Sequence, residues 1–280
     1  MTSFETPGPI TVTVEGDMIN LRIAASDRTD TTVEVTPTND ANDRDVRTAK
    51  NTQVTFSGGR LLVKAPKSRS VFNKSGGIDV VVELPEGSAL GSNASMIYID
   101  GQGRFGDVTV KTSMGNIHLD EVGNANIKTG FGDIRVDRAS GTDHQFISGT
   151  GRIDLGEIDG PATVKNSNGD SAVGTITGNL QAKAANGRIS VGTAHGDVDA
   201  ASSAGAIRIG RVERGQVRFE TSVGPLEIGI AEGTAAWLDV NTKAGAVRNE
   251  LGPGTGPDAS KETVEVRGRT SVGDIVIRRA

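Results

Sequence analysis

Within the glycine repeats, five aspartates directly follow a glycine, at Asp107, Asp133, Asp170, Asp197 and Asp274. Calcium is the first chemistry to weigh for them, because nonapeptide glycine repeats carrying aspartate form calcium-binding parallel β-rolls. In those rolls the aspartate stands two residues after the glycine, whereas here it stands one after. Arg152 and Arg188 hold the same place in other repeats, so the pattern argues against a cation ladder, and no metal or other cofactor is expected. The chain has three histidines, His118, His144 and His195, and none lies in a metal or nucleophile motif. His118 and His144 fall at positions that read as outward and solvated. Asp143 beside His144 breaks the local apolar pattern, which makes it the one place to look for a polysaccharide-cleaving pair. The simpler reading is a bulge that re-phases the strand onto Phe146. With no cysteine, disulfides, thiolate metal sites and cysteine nucleophiles are excluded. The chain is therefore not expected to be an enzyme.

Glycine spacing sets where all these side chains stand. Glycine makes up 38 of 280 residues. From residue 106 it recurs at 106, 115, 123, 132, 141, 151, 160, 169, 178, 187, 196, 205, 215, 224 and 233, a beat close to nine. The second and fourth residues after each glycine are mostly apolar, as in Ile117 and Leu119, Ile153 and Leu155, Ile207 and Ile209. That alternation is the period of a strand with one buried face. Three residues before every other glycine stand Thr112, Thr129, Ser148, Asn166, Ala184, Ser202, Thr221, Thr242 and later Thr270. The true repeat is thus about 18 residues, two strands and two corners. It predicts an all-β, single-stranded parallel β-helix or β-solenoid in which no coil buries its apolar face until the next one stacks on it.

Stacking makes a charge prediction. The residue after glycine runs Asn116, Asp133, Arg152, Asp170 and Arg188, and two positions on come Arg135, Asp154, Arg208, Glu227 and Arg248. Opposite signs in adjacent coils should pair, Asp133 with Arg152 and Asp170 with Arg188. The looser rungs expose a polar strip, Thr109, Asn126, His144, Thr163, Gln181, Asp199 and Arg218, which is the candidate binding surface.

Residues 1–94 show alternating strands such as ITVTVE and IDVVVEL without the glycine beat, and read as a β-rich N-terminal capping segment. The polar stretch TNDANDRDVRTAKN reads as a loop or short helix. Residues 95–280 form the solenoid, with a loop near 249–262 (NELGPGTGPD) before the beat resumes in TSVGDIVI. The last strand pair would then be an exposed end. Trp237, the single tryptophan, is expected in the core or at a corner.

A net charge of −5 argues against nucleic acid, whose phosphates require a basic surface. No apolar run reaches the roughly 20 residues of a membrane span, and the first residues lack a signal-peptide pattern. A cytoplasmic location and a monomer or small oligomer are expected.

The segments ASDRTDTTVEVTP, GRLLVKAPK, VVVELPEGS, VKNSNGD, AANGRISV, AAWLDVNTKAGAVRNEL and TSVGDIVIRR resemble the bacterial adhesin-like β-strand-repeat family, the toast-rack domain, in its actinobacterial form. The resemblance implies a right-handed single-stranded β-helix of unassigned biochemical function, without catalytic residues, and in many relatives an association with the cell envelope or with envelope-stress systems. The expected role is a non-enzymatic scaffold presenting a rigid surface to a protein or glycan partner. The alternatives are a self-assembling structural rod and a polysaccharide-binding or polysaccharide-active β-helix.

Overall fold

The structure is a computed structural model that describes residues 1–67, 76–252 and 262–280. They form two compact units, Met1–Ser140 and Gly141–Ala280. The expected loop near 249–262 falls largely outside the described residues.

The first unit begins with β1 (Thr2–Glu5), β2 (Thr11–Ser26), β3 (Asp30–Pro37), α1 (Asp43–Lys50), β4 (Gln53–Ser57), β5 (Arg60–Lys64), β6 (Gly77–Pro85) and β7 (Ala89–Arg104). The polar stretch becomes helical at α1. There the Asn42 side chain accepts from Arg44 N–H, acids fill the first turn and Arg47 and Lys50 the last, each favourable to the helix dipole. β8 (Val108–Met114), β9 (Ile117–Val122), β10 (Ala125–Phe131) and β11 (Ile134–Ser140) complete the unit. β7 is a whole coil, pairing in parallel with β8 through its first half and with β9 through its second. β2 is another and lies beside β7 along nearly its full length. The opposite edge of β2 is taken by β5 and β6, so the coil they form lies outside β2 although it follows β2 in sequence. Antiparallel strands close that side, β4 on β5, β3 on β6 and β1 on β3.

The second unit holds β12 (His144–Thr150), β13 (Ile153–Asp159), β14 (Ala162–Asn168), β15 (Ser171–Ile176), β16 (Leu180–Asn186), β17 (Ile189–Ala194) and β18 (Val198–Ala204). It continues with β19 (Ile207–Val212), β20 (Gly215–Val223), β21 (Leu226–Ile230), β22 (Thr234–Ala244), β23 (Val247–Asn249), β24 (Glu262–Val272) and β25 (Ile275–Arg279). Strands two apart pair in parallel, with Ala162 beside Leu180 and then Val198, and Ser171 beside Ile189 and then Ile207. These are the 18-residue coils that the glycine beat predicts. Buried apolar columns fill the interior, and each fully buried Val, Leu or Ile contributes about 1.5–3 kcal/mol. Size is balanced along a column. Phe219, fully buried, has Ala200 on one neighbouring coil and Gly268 on the other. A Cβ at Gly268 would lie 2.9 Å from the Phe219 ring.

Corners require glycine for two reasons at once. Gly187 has φ +139°, and a Cβ there would stand 2.1 Å from the carbonyl oxygen of Gly169, the equivalent glycine one coil away.

Four expectations are corrected. The extra residue in the Asp143 rung makes no bulge: β12 pairs with β14 in continuous register from His144↔Ala162, and the insertion is absorbed in the bend before the strand. His144 therefore takes the first inward position and is fully buried. The last strands in sequence are not the exposed end, because β24 and β25 lie between β20 and β21 on one side and β22 and β23 on the other. The outermost coil is 234–249, and Trp237 on it is 58% exposed instead of buried.

Candidate binding groove

Most of the polar strip assembles within each unit. Thr109 and Asn126 are neighbours on β8 and β10, both exposed. In the second unit Thr163, Gln181, Asp199 and Arg218 stand side by side on β14, β16, β18 and β20. They line a surface groove of about 560 Å³. His144 is not part of the strip: Gln145 takes its place beside Thr163. Arg267 on β24 extends the row past Arg218, and with Asp143 it also borders the groove. Sequence reasoning missed Arg267 because it assumed that coils stack in chain order. The signal was present: VRFETSVG at 217–224 and VRGRTSVG at 266–273 are successive rungs.

Charge in the groove is mixed and locally balanced. Arg218 donates to Glu220 on its own strand at 3.0 Å, which holds its guanidinium above the usual arginine range. Arg267 pairs with Glu265 in the same way. The row presents hydroxyl, amide, carboxylate and guanidinium groups at the spacing of adjacent strands, about 4.8 Å. Such a surface can hydrogen-bond an extended chain. Among the described residues no histidine borders the groove. His144 donates from Nε2 to the Asp159 carbonyl at 3.1 Å and stacks on Phe146, ring centroids 6.4 Å apart.

Four of the post-glycine aspartates act as corner caps. Asp170 accepts the backbone N–H of Arg188 at 2.9 Å, Asp197 that of Gln216 at 2.8 Å, and Asp274 that of Ala246 at 2.9 Å. Asp107 does the same for Asn124. The partner of Asp170 is thus the main chain of Arg188, not its guanidinium. Side-chain pairing between coils does occur at Arg208–Glu227, 3.6 Å. The next cation to meet Glu227 is Arg278, at 2.7 Å, not Arg248, because the last coil is intercalated. Arg248 pairs with Asp274 instead.

The column of Thr, Ser and Asn has a complementary task. Thr221 Oγ1 donates to the Gly205 carbonyl at 3.0 Å, Thr270 Oγ1 to Gly224 at 3.1 Å and Thr242 Oγ1 to Gly273 at 2.8 Å. Each supplies a donor to the part-buried corner carbonyl of a neighbouring coil. Ala184 has no hydroxyl to offer Gly169. Asn166 compensates, its Nδ2 donating to Gly151 at 2.8 Å and to Gly169 at 3.0 Å.

Glycine corners, side-chain caps on every few coils and parallel ladders define a β-strand-repeat solenoid. The sequence profile of the Toastrack DUF4097 family matches residues 10–250, and the chain belongs to that family. No curated protein matches the chain. Among solved structures, a "putative adhesin" from Bacteroides fragilis is 12% identical over 99% of this chain and 95% of its own, with a TM-score of 0.29. One from Parabacteroides merdae is 11% identical over 98% and 94%, with a TM-score of 0.35. No helix among the described residues is long and apolar enough to cross a membrane.

Proposed function

We propose that the chain is a non-enzymatic, adhesin-like scaffold that binds an extended protein or glycan partner along the Thr163–Gln181–Asp199–Arg218 row, with residues 1–94 acting as its cap. The observation that carries this reading is the concave, in-register row of polar side chains on four coils. Rigid, concave faces of this kind are the extended binding surfaces of solenoids. A role in envelope-stress signalling is part of the proposal. The test replaces Gln181 by a photo-crosslinking amino acid in the native host, with and without envelope stress, and does the same at Ser190 on the other sheet face as control. A discrete partner captured from position 181 and not from 190 supports the reading. Equal capture at both positions, or none, overturns it.

A second reading, self-assembly, is favoured by the outermost coil. β22 has no strand on its outer side among the described residues, and Trp237 is exposed on it. Long open edges template pairing with other chains. Size-exclusion chromatography over a concentration series separates the readings: concentration-dependent growth supports assembly, and a constant monomer removes it.

A further inference from the structure

The geometry points to a binding site for a divalent transition-metal ion of the zinc type on the first unit, built from His118 and Asp120 on β9 and Asp137 on β11. Each offers one ligand atom, and the three atoms lie within 4.8 Å of one another. The ladder produces this cluster. His118 and Asp120 are two apart on one strand and share its outer face. Asp137 stands between Val136 and Arg138, which pair with Leu119 and Glu121, and so faces Asp120.

Three features separate this cluster from an ordinary solvated patch. The first is the orientation of His118. Its Nδ1 faces Asp100 Oδ1 at 3.4 Å, and a carboxylate behind one ring nitrogen fixes a metal-binding histidine with the other nitrogen as ligand. The second is that other nitrogen. Nε2 of His118 is buried and has no hydrogen-bond partner, although the imidazole as a whole is 42% exposed. The third is charge. Carboxylates directly opposed across a ladder repel each other. Asp100, Asp120 and Asp137 stand around the ring, while Arg22 neighbours Asp100 on β2 and Arg135 pairs with Asp137 Oδ1 at 3.0 Å. A divalent ion cancels the remainder. Each aspartate keeps an oxygen for it, since Arg135 uses one oxygen of Asp137 and the Gly103 N–H uses Oδ2 of Asp120 at 2.9 Å.

The donor set selects the metal. One imidazole nitrogen with two carboxylate oxygens suits zinc and its neighbours, while calcium takes oxygen ligands alone. This site is unrelated to Asp107, Asp170, Asp197 and Asp274, which are spent on corner N–H groups.

The experiment uses the tag-free full chain. Isothermal titration with Zn²⁺ reads affinity, and Co²⁺ serves as a spectroscopic probe whose visible bands report imidazole ligation. One ion per chain is expected, with affinity falling at least about tenfold in His118→Gln and in Asp137→Asn. Asp100→Asn, which removes only the orienting carboxylate, should weaken binding by about tenfold while keeping the Co²⁺ bands. Far-UV circular dichroism in chelator checks that each variant is folded, and Asp137, being half exposed, provides a variant that leaves the core untouched. Absence of saturable binding, binding unchanged in folded His118→Gln, or binding lost instead in His195→Gln would overturn the assignment.

Discussion

Replacing Asn166 by alanine tests whether side-chain caps hold the coils together. Asn166 is 2% exposed, and its amide group donates to the Gly151 and Gly169 carbonyls and, at 3.4 Å, to that of Asp170, which already accepts the Ile153 N–H. Leaving a buried acceptor without its donor costs about 1–3 kcal/mol. Two such losses would total roughly 2–6 kcal/mol, but Asn166 Oδ1 is itself buried without a partner, and deleting it returns about 1–3 kcal/mol. The net expectation is a destabilisation of about 1–3 kcal/mol, read as a lower urea midpoint by circular dichroism. Ala184→Thr makes the test specific. Position 184 adjoins Asn166 and Ser202 in the column, so a hydroxyl there reaches the Gly169 carbonyl as Thr221 reaches Gly205. The substitution should restore roughly 1 kcal/mol in the Asn166→Ala background and add little to the parent. Equal effects in both backgrounds, or an unchanged midpoint for Asn166→Ala, would refute the capping argument.

Gly187→Ala forces a side chain into a positive-φ corner against the Gly169 carbonyl; it should cost at least about 3 kcal/mol or abolish folding, measured by soluble yield and urea midpoint. Arg28 holds the carboxyls of Asp30 and Glu83 below their ordinary range by hydrogen bonds and charge. Their contribution to stability is therefore fully present above about pH 4.5 and lost as pH falls through their depressed values, so Arg28→Gln should flatten the acid limb of the stability profile. Thermal melts in calcium and in a calcium chelator should coincide, because Asp107, Asp170, Asp197 and Asp274 already accept main-chain N–H groups; a large stabilisation by calcium would contradict that account. Trp237 fluorescence should show solvent-like emission and ready acrylamide quenching at low protein concentration, and protection appearing only at high concentration would report coverage of the outermost coil.

The coil length and the inward columns were legible because glycine, unlike other residues, is compelled at corners by the backbone alone, and alternation follows from the pleat. The hydroxyl column was visible as a pattern, but its purpose was not, since a corner carbonyl leaves no mark in the sequence. His144 was misplaced by one position, because an insertion can lie in a bend or in a strand and the letters do not say which. Gln145 and Arg267 were missed for related reasons, the second because spatial order departs from chain order. The metal cluster was invisible to motif reading: Asp137 reaches the pair on β9 only through the coil stack, and no local spacing encodes that.

The intercalated last coil limits how this protein can be built and enlarged. Synthesis delivers 234–249 before the strands it must lean against, so the second unit cannot finish folding by simple addition from one end; a slot must be held or reopened for 262–279. The same threading constrains evolution by duplication. A repeat inserted upstream of residue 215 would keep coils in chain order, whereas the edge left open among the described residues belongs to β22, on a coil that precedes β24 and β25 in sequence.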